Sequence, residues 1–249
     1  MNQVTTARGK WSGFWREYRG TFAFLLFMLM FRSAWADWMT VPTGSMNPTI
    51  LEGDRILVDK HVFGVRVPWT LLRITDGRDP QRGEIVVFDP PTDGPTLVKR
   101  VIGVPGDIVA IDERGLSING EHANYSAGDQ ALVRTLLEGT QQREPVVYRE
   151  GGVIAEHHLL RMPVHSPREF FGPVKVPEDM FLMLGDNRDN SADSRYIGFV
   201  PRRNIIGLTR RVAVSFDPER YYLPRKGRYF TSLDGTSMDG RSPGGSPPE

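Results

Sequence analysis

Cysteine is absent from all 249 positions. That one absence removes disulfide staples, thiolate zinc sites and a cysteine nucleophile, so any covalent catalysis must run through another side chain. It is compatible with an oxidising compartment without requiring one. A large charge of either sign is absent too: 31 Lys and Arg against 30 Asp and Glu leave a formal net charge of +1. The basic residues are scattered and not interleaved with aromatics, so the footprint of a nucleic-acid binder is missing. An uninterrupted apolar run of spanning length is also lacking. Thr21–Phe31 carries no charge but stops at Arg32, short of the roughly 18 apolar residues that a spanning helix needs.

What surrounds that run points to a membrane all the same. Arg8, Lys10, Arg16 and Arg19 precede it against Glu17, and Trp11, Trp15, Trp35 and Trp38 flank it on both sides, as headgroup-level aromatics do. Arg32 can snorkel and let the helix continue to Trp38. This reading gives a cytoplasmic segment over 1–19 and a single-pass anchor over 20–38. A removable secretory signal fits the same stretch, because Ala34-Trp35-Ala36 has the small-x-small form of a cleavage site. A buried core helix fits less well beside an unpaired basic flank. In both membrane readings the basic end stays in the cytoplasm and everything after about residue 38 is exported. Cleavage after Ala36 would leave Ser45 near a frayed terminus, which favours retention.

Ser45 matters because of its setting, Val41-Pro42-Thr43-Gly44-Ser45-Met46-Asn47-Pro48-Thr49. Two prolines fix the backbone of this short loop, and Gly44 permits close approach of another chain. Farther on, Lys99 interrupts the run Leu97-Val98-Lys99-Arg100-Val101-Ile102, which otherwise reads as a buried strand. A serine hydroxyl is a poor nucleophile until a base takes its proton, and a desolvated lysine is one such base. Each residue alone has an ordinary reading, Ser45 as a turn serine and Lys99 as a strand lysine reaching solvent.

Between and beyond these residues, short apolar runs alternate with turn signals: Arg55–Lys60, Glu84–Phe88, Asp107–Ile111, Met180–Leu184, Tyr196–Val200 and Ile205–Ser215. That texture predicts a mainly β protein with antiparallel sheets. Residues 64–80 read as a loop in which Trp69, Leu71 and Leu72 dip into lipid or core. Two core segments, 39–111 and 179–226, bracket an inserted subdomain over 112–178, in which Gly115–Gly120 reads as a hairpin and Glu121–Arg168 is polar with weak periodicity. Residues 227–249 read as a disordered tail.

Four blocks together resemble bacterial signal peptidase I. They are Val41–Thr49, Gly53–Lys60, Lys99–Asp107 and Gly185–Val200, in the family order and over less than half the chain. The resemblance implies two packed antiparallel β-sheets with an N-terminal transmembrane helix, and a serine endopeptidase that removes signal peptides from exported preproteins. It implies Ser45 as nucleophile and Lys99 as general base, with the Ser45 N–H and the Thr43 hydroxyl as oxyanion donors. Many family members carry serine at the Thr43 position; threonine keeps the donor and restricts its rotamer. Ser191 would hydrogen-bond and orient Lys99, while Asp193 and Arg195 would hold their loop through an ion pair. Val41, Pro42, Gly44, Met46, Leu97 and Val98 would line shallow apolar pockets that accept alanine-sized side chains. No cofactor or metal is called for. The implied partners are preprotein signal peptides, the bilayer and the export machinery, at the bacterial inner membrane with the catalytic part outside the cytoplasm.

The residues support that chemistry independently. A free lysine titrates near 10.4, so a base working near pH 7 needs a shift of about three units, roughly 4 kcal/mol against the charged form. A calcium loop at Asp189, Ser191 and Asp193 is the weaker reading, since Ser194 replaces the usual Gly and Val200 the distal acid. His61, His122, His157, His158 and His165 match no triad motif and are expected mainly on the surface. Two rivals stay open: a self-cleaving Ser/Lys regulator, which would need a DNA-binding module, and a membrane-tethered β domain without catalysis.

Overall fold

A computed structural model describes residues 14, 17–25, 28, 36–64, 74–130, 146–162 and 170–233. They are mainly β, as the turn-punctuated runs predict, but the strands form three antiparallel sheets where two were expected. The largest is nine-stranded and runs, in spatial order, β1 (Ala36–Thr40), β2 (Asp54–Asp59), β14 (Ile205–Asp217), β3 (Ile85–Phe88), β4 (Leu97–Gly103), β12 (Met180–Leu184) and β13 (Val200–Pro201). Two short strands, β15 (Leu223–Pro224) and β16 (Thr231–Ser232), also pair with β14.

The stretch read as an insertion builds the two smaller sheets. One is four-stranded: β11 (Phe171–Lys175), β5 (Ile108–Asp112), β6 (Gly115–Ile118) and β7 (Glu121–His122). The other is three-stranded: β10 (His157–Arg161), β9 (Val146–Gly151) and β8 (Asn124–Ala127). The boundary drawn at 112 therefore falls at the end of β5, because β5 pairs with β11 from the far side of the insertion. Residues 131–145 and 163–169, including His165, lie outside the described residues.

Sequence pattern accounts for the central strands. All four residues of β3 are buried, the mark of a strand covered on both faces, whereas β2 alternates buried and exposed positions. The 13-residue β14 serves both neighbours, and its register shifts between Thr209 and Arg211 and between Val212 and Val214 bend it as it passes from β3 to β2. One core cluster joins Val41, Met46 and Ile50 of the serine loop to Ile85, Val87 and Val98 of the large sheet. A second joins Phe63, Phe88 and Phe181, each phenylalanine contributing about 2–3 kcal/mol by burial. Gly53 turns the chain into β2 with φ +86°, where an added Cβ would sit 2.1 Å from the Phe216 carbonyl oxygen.

Three expectations change. The expected anchor extends to Trp38, yet Ala36–Thr40 is strand β1, paired with β2 from Ala36↔Asp59 to Thr40↔Arg55. Residues 17–25 are helical, and among the described residues no helix is long and apolar enough to cross a membrane. Most of 1–19, the end of the apolar run, and Trp69, Leu71 and Leu72 lie outside the described residues. Residues 227–233, expected in a disordered tail, are ordered. Arg228 donates to Asp54 and to the Thr49 carbonyl, β16 pairs with β14, and Leu233 is buried in the serine-loop cluster. One arginine satisfying a buried carboxylate orders a stretch whose composition reads as disordered. The third change concerns His157, which is buried, while His158 on the opposite face of β10 is half-buried.

Candidate active site

Ser45 lies in a single 3-10 turn, Gly44–Met46, that follows the extended residue Thr43. Met46 is sealed in the core, so the turn is clamped from below and Ser45 stays partly exposed. Lys99 comes from β4 and is 2% exposed. Its Nζ lies 2.7 Å from Ser45 Oγ, and 2.9 Å from the Val98 carbonyl oxygen, to which it donates. The Thr43 hydroxyl donates to the same Oγ from 3.4 Å.

Burial pushes the Lys99 ammonium down from 10.5 to about 8, against the opposing pull of Asp193 and Asp186. About a tenth of the amine is then neutral at pH 7, with a lone pair free to accept a proton.

The loop Gly185–Arg195 holds this pair from the other side. Asn187 donates its backbone N–H to the Ser45 carbonyl at 3.1 Å and its side-chain amide to the Gly44 carbonyl at 3.0 Å. Gly185 is required by crowding: an added Cβ would lie 2.5 Å from the Ser45 carbonyl oxygen and 2.2 Å from Ser191 Oγ. Asp193 caps the short helix α1 (Ser194–Ile197). It takes both arms of Arg195, at 2.9 and 2.8 Å, and the Gly185 N–H at 3.1 Å. Asp193 and Arg195 are thus joined in a buried ion pair, which leaves Asp193 engaged in a way a calcium ligand would not be. The bond from Ser191 to Lys99 does not form here. Ser191 Oγ is buried with no hydrogen-bond partner among the described residues, packed against Gly185.

Of the residues expected to line pockets, Val41, Met46 and Val98 are buried in the core cluster, so a pocket wall made of Met46 would need a surface that this side chain does not reach. Pro42 is exposed, and Gly44 and Leu97 are half-buried. β12 pairs with β4 only from Arg100 to Gly103. Leu97–Lys99 thus have no strand beyond them on that side among the described residues.

A family model described as signal peptidase, peptidase S26, matches residues 15–214. The chain belongs to the signal peptidase I family, peptidase S26, a family of serine peptidases. A signal peptidase I of Pseudomonas fluorescens is 35% identical over 226 residues, covering 85% of this chain and 77% of the relative. That of Pseudomonas aeruginosa is 36% identical over 234 residues, with the same shares. A solved signal peptidase I structure from Enterococcus faecalis V583 is 29% identical, covers 53% of this chain and 97% of that one, and has a TM-score of 0.32.

Within this signal peptidase fold, several residues act that sequence reasoning left without roles. Arg100 grips Asp186 with Nε at 2.8 Å and Nη2 at 2.6 Å, both residues being buried. Burial pushes the Asp186 carboxyl up, but the charge and hydrogen bonds of Arg100 outweigh it and hold the group below its ordinary value. The Thr49 hydroxyl donates to Asp186 as well, tying the end of the serine block to this loop. Arg100 carried a usable signal, since an arginine in a run that reads as buried needs a carboxylate. Asn187 carried none, because its role depends on which carbonyls the fold brings near.

Proposed function

We propose that the chain is a membrane-anchored endopeptidase that cleaves N-terminal signal peptides from exported preproteins after a small-x-small motif, with Ser45 as nucleophile and Lys99 as general base. The supporting observation is the 2.7 Å approach of a buried lysine amine to a partly exposed serine hydroxyl. Neutral Lys99 takes the Ser45 proton as Oγ bonds to the scissile carbonyl carbon. The carbon–nitrogen bond then breaks, Lys99 hands the proton to the leaving amine, and an acyl-enzyme remains. Water deprotonated by Lys99 attacks that ester, and the returning proton restores Ser45.

The negative charge on the carbonyl oxygen needs donors already in place. Ser45 stands in the first turn of its 3-10 helix, where backbone N–H groups have no intrahelical acceptor, and the exposed Thr43 hydroxyl stands beside it. The open side of Leu97–Lys99 suits an extended substrate added as a strand. Phe22, Phe24 and Leu25, exposed on the N-terminal helix, support a lipid-facing anchor with its basic end in the cytoplasm. That placement puts Ser45 outside the cytoplasm, a few residues from the bilayer and within reach of substrate delivered by the export machinery.

The test uses the full chain in detergent with a preprotein. Processing after small-x-small is expected, falling at least about 10²-fold in folded Ser45→Ala and Lys99→Ala variants. The acid limb of kcat/KM should have its midpoint near pH 8, where Lys99 loses its proton. Wild-type rates in either variant, or a limb near 6.5 removed by changing one histidine, would sink the proposal.

A further inference from the structure

The three-stranded sheet of the insertion touches the Gly185–Arg195 loop, here called the catalytic loop, in a way that its composition does not suggest. β10 has β9 on one edge. On its other edge Leu160 donates its N–H to the Asp186 carbonyl at 2.8 Å and accepts from the Arg188 N–H at 3.0 Å. Between those two bonds lies Asn187, whose own N–H and side-chain amide hold Ser45 and Gly44. Residue 187 therefore has the insertion on one side and the nucleophile turn on the other. A further tie runs from the Met162 N–H to Asp189 Oδ2 at 2.7 Å.

Beneath this seam each strand of the small sheet sends in one polar side chain. Glu150 of β9 receives Arg188 of the catalytic loop on both oxygens, through Nη1 at 2.9 Å and through Nη2. Tyr125 of β8 donates to Glu150 Oε1. His157 of β10 sits between the two carboxylates, with Nε2 3.3 Å from Glu150 and 3.8 Å from Asp186. Glu150, Arg188, His157 and Asp186 are all buried. The Arg188 carbonyl in turn accepts from Arg195, which joins this cluster to the Asp193 ion pair.

Burying an ion pair is seldom the most stable option, because well-packed apolar side chains do as well or better; directional bonds give fixed geometry. Here the fixed element is the segment that holds Ser45. We infer that the β8–β9–β10 sheet is a positioning device for the nucleophile, and that Glu150 and Arg188 are positioning residues that set the turnover of the Ser45–Lys99 pair through Asn187. The inference rests on the proposed Ser45–Lys99 chemistry. Misplacing a reacting atom by about 1 Å costs on the order of 10²-fold, so loosening the seam should lower kcat and leave KM nearly unchanged.

The experiment compares the full-length wild type, Glu150→Gln and the double variant Glu150→Gln/Arg188→Met in detergent. Steady-state cleavage of a preprotein, urea unfolding and amide exchange at residues 186–188 are measured on each. The single variant leaves Arg188 buried without its anion, so it should lose stability, and the double variant should regain it. Expected in both are a kcat lowered about 10- to 100-fold with KM within about twofold, and faster exchange at the Asn187 amide. A kcat that recovers in step with stability in the double variant shows a merely structural pair and overturns the inference, as does unchanged exchange at Asn187. Should the single variant fail to fold, the double variant alone decides. Exchange is read without substrate, so a wild type that cleaves nothing refutes the proposed chemistry separately.

Discussion

Lys99→Met is the perturbation that most directly tests the catalytic centre, and its effect on stability can be worked from the structure. Lys99 is 2% exposed, and burial lowers its amine from 10.5 to about 8. Between these values the unfolded chain binds a proton that the folded chain does not, so wild-type stability rises with pH through that window. At pH 7 both states hold the proton, and the folded state bears the full cost of a buried ammonium, about 3 kcal/mol. By pH 10 most of that cost is gone. Methionine has similar length and no charge, so it escapes the cost at every pH while losing the bonds to Ser45 and Val98, about 1 kcal/mol each. The variant should therefore be inactive and, at pH 7, more stable than wild type by about 1–2 kcal/mol. Its advantage should shrink by about 2–3 kcal/mol between pH 7 and pH 10. Urea unfolding of both proteins in one detergent at several pH values gives the difference directly, cancelling every other titrating group. A stability difference that stays flat across the window would refute a depressed lysine at position 99, and with it the base assigned to Ser45.

His157 is pushed down from 6.5 to about 4, by burial first and then by the charge of Arg100. Stability should thus fall as pH drops from 6.5 to 4, by up to about 3 kcal/mol, and this slope should be missing in His157→Gln; equal slopes in thermal melts would contradict it. Gly185→Ala sets a methyl against the Ser45 carbonyl, and kcat for preprotein cleavage should drop on the order of 10²-fold, whereas a wild-type kcat would show the loop yields without moving Ser45. Arg228→Ala leaves Asp54 buried without its cation, which should cost about 3–5 kcal/mol in urea unfolding. A change under about 1 kcal/mol would mean residues 227–233 hold nothing.

Short apolar runs, turn residues and the two prolines around Ser45 are local features, so strands β2, β3, β4, β12 and β14 and the turn that carries Ser45 were legible along the chain. Lys99 was legible for a related reason: a charge inside a buried run is an anomaly that a linear pattern displays. The insertion resisted reading because its buried partners are polar. Glu150, His157 and Tyr125 look like surface residues until Arg188 and Asp186, far away in the chain, arrive to pair with them. The tail resisted for the same reason, since Arg228 is ordered by Asp54 at a separation of 174 positions. By itself, then, the order of amino acids determined the strand-forming segments of the main core, the serine and lysine proposed as a catalytic pair, and the family. Only the tertiary structure decided how far the lysine is desolvated, which carbonyls Asn187 holds, and that β10 lies against the catalytic loop. Those quantities depend on distances between groups remote in the chain, and hydrogen bonds and desolvation act over a few ångströms of space, whatever the separation in sequence.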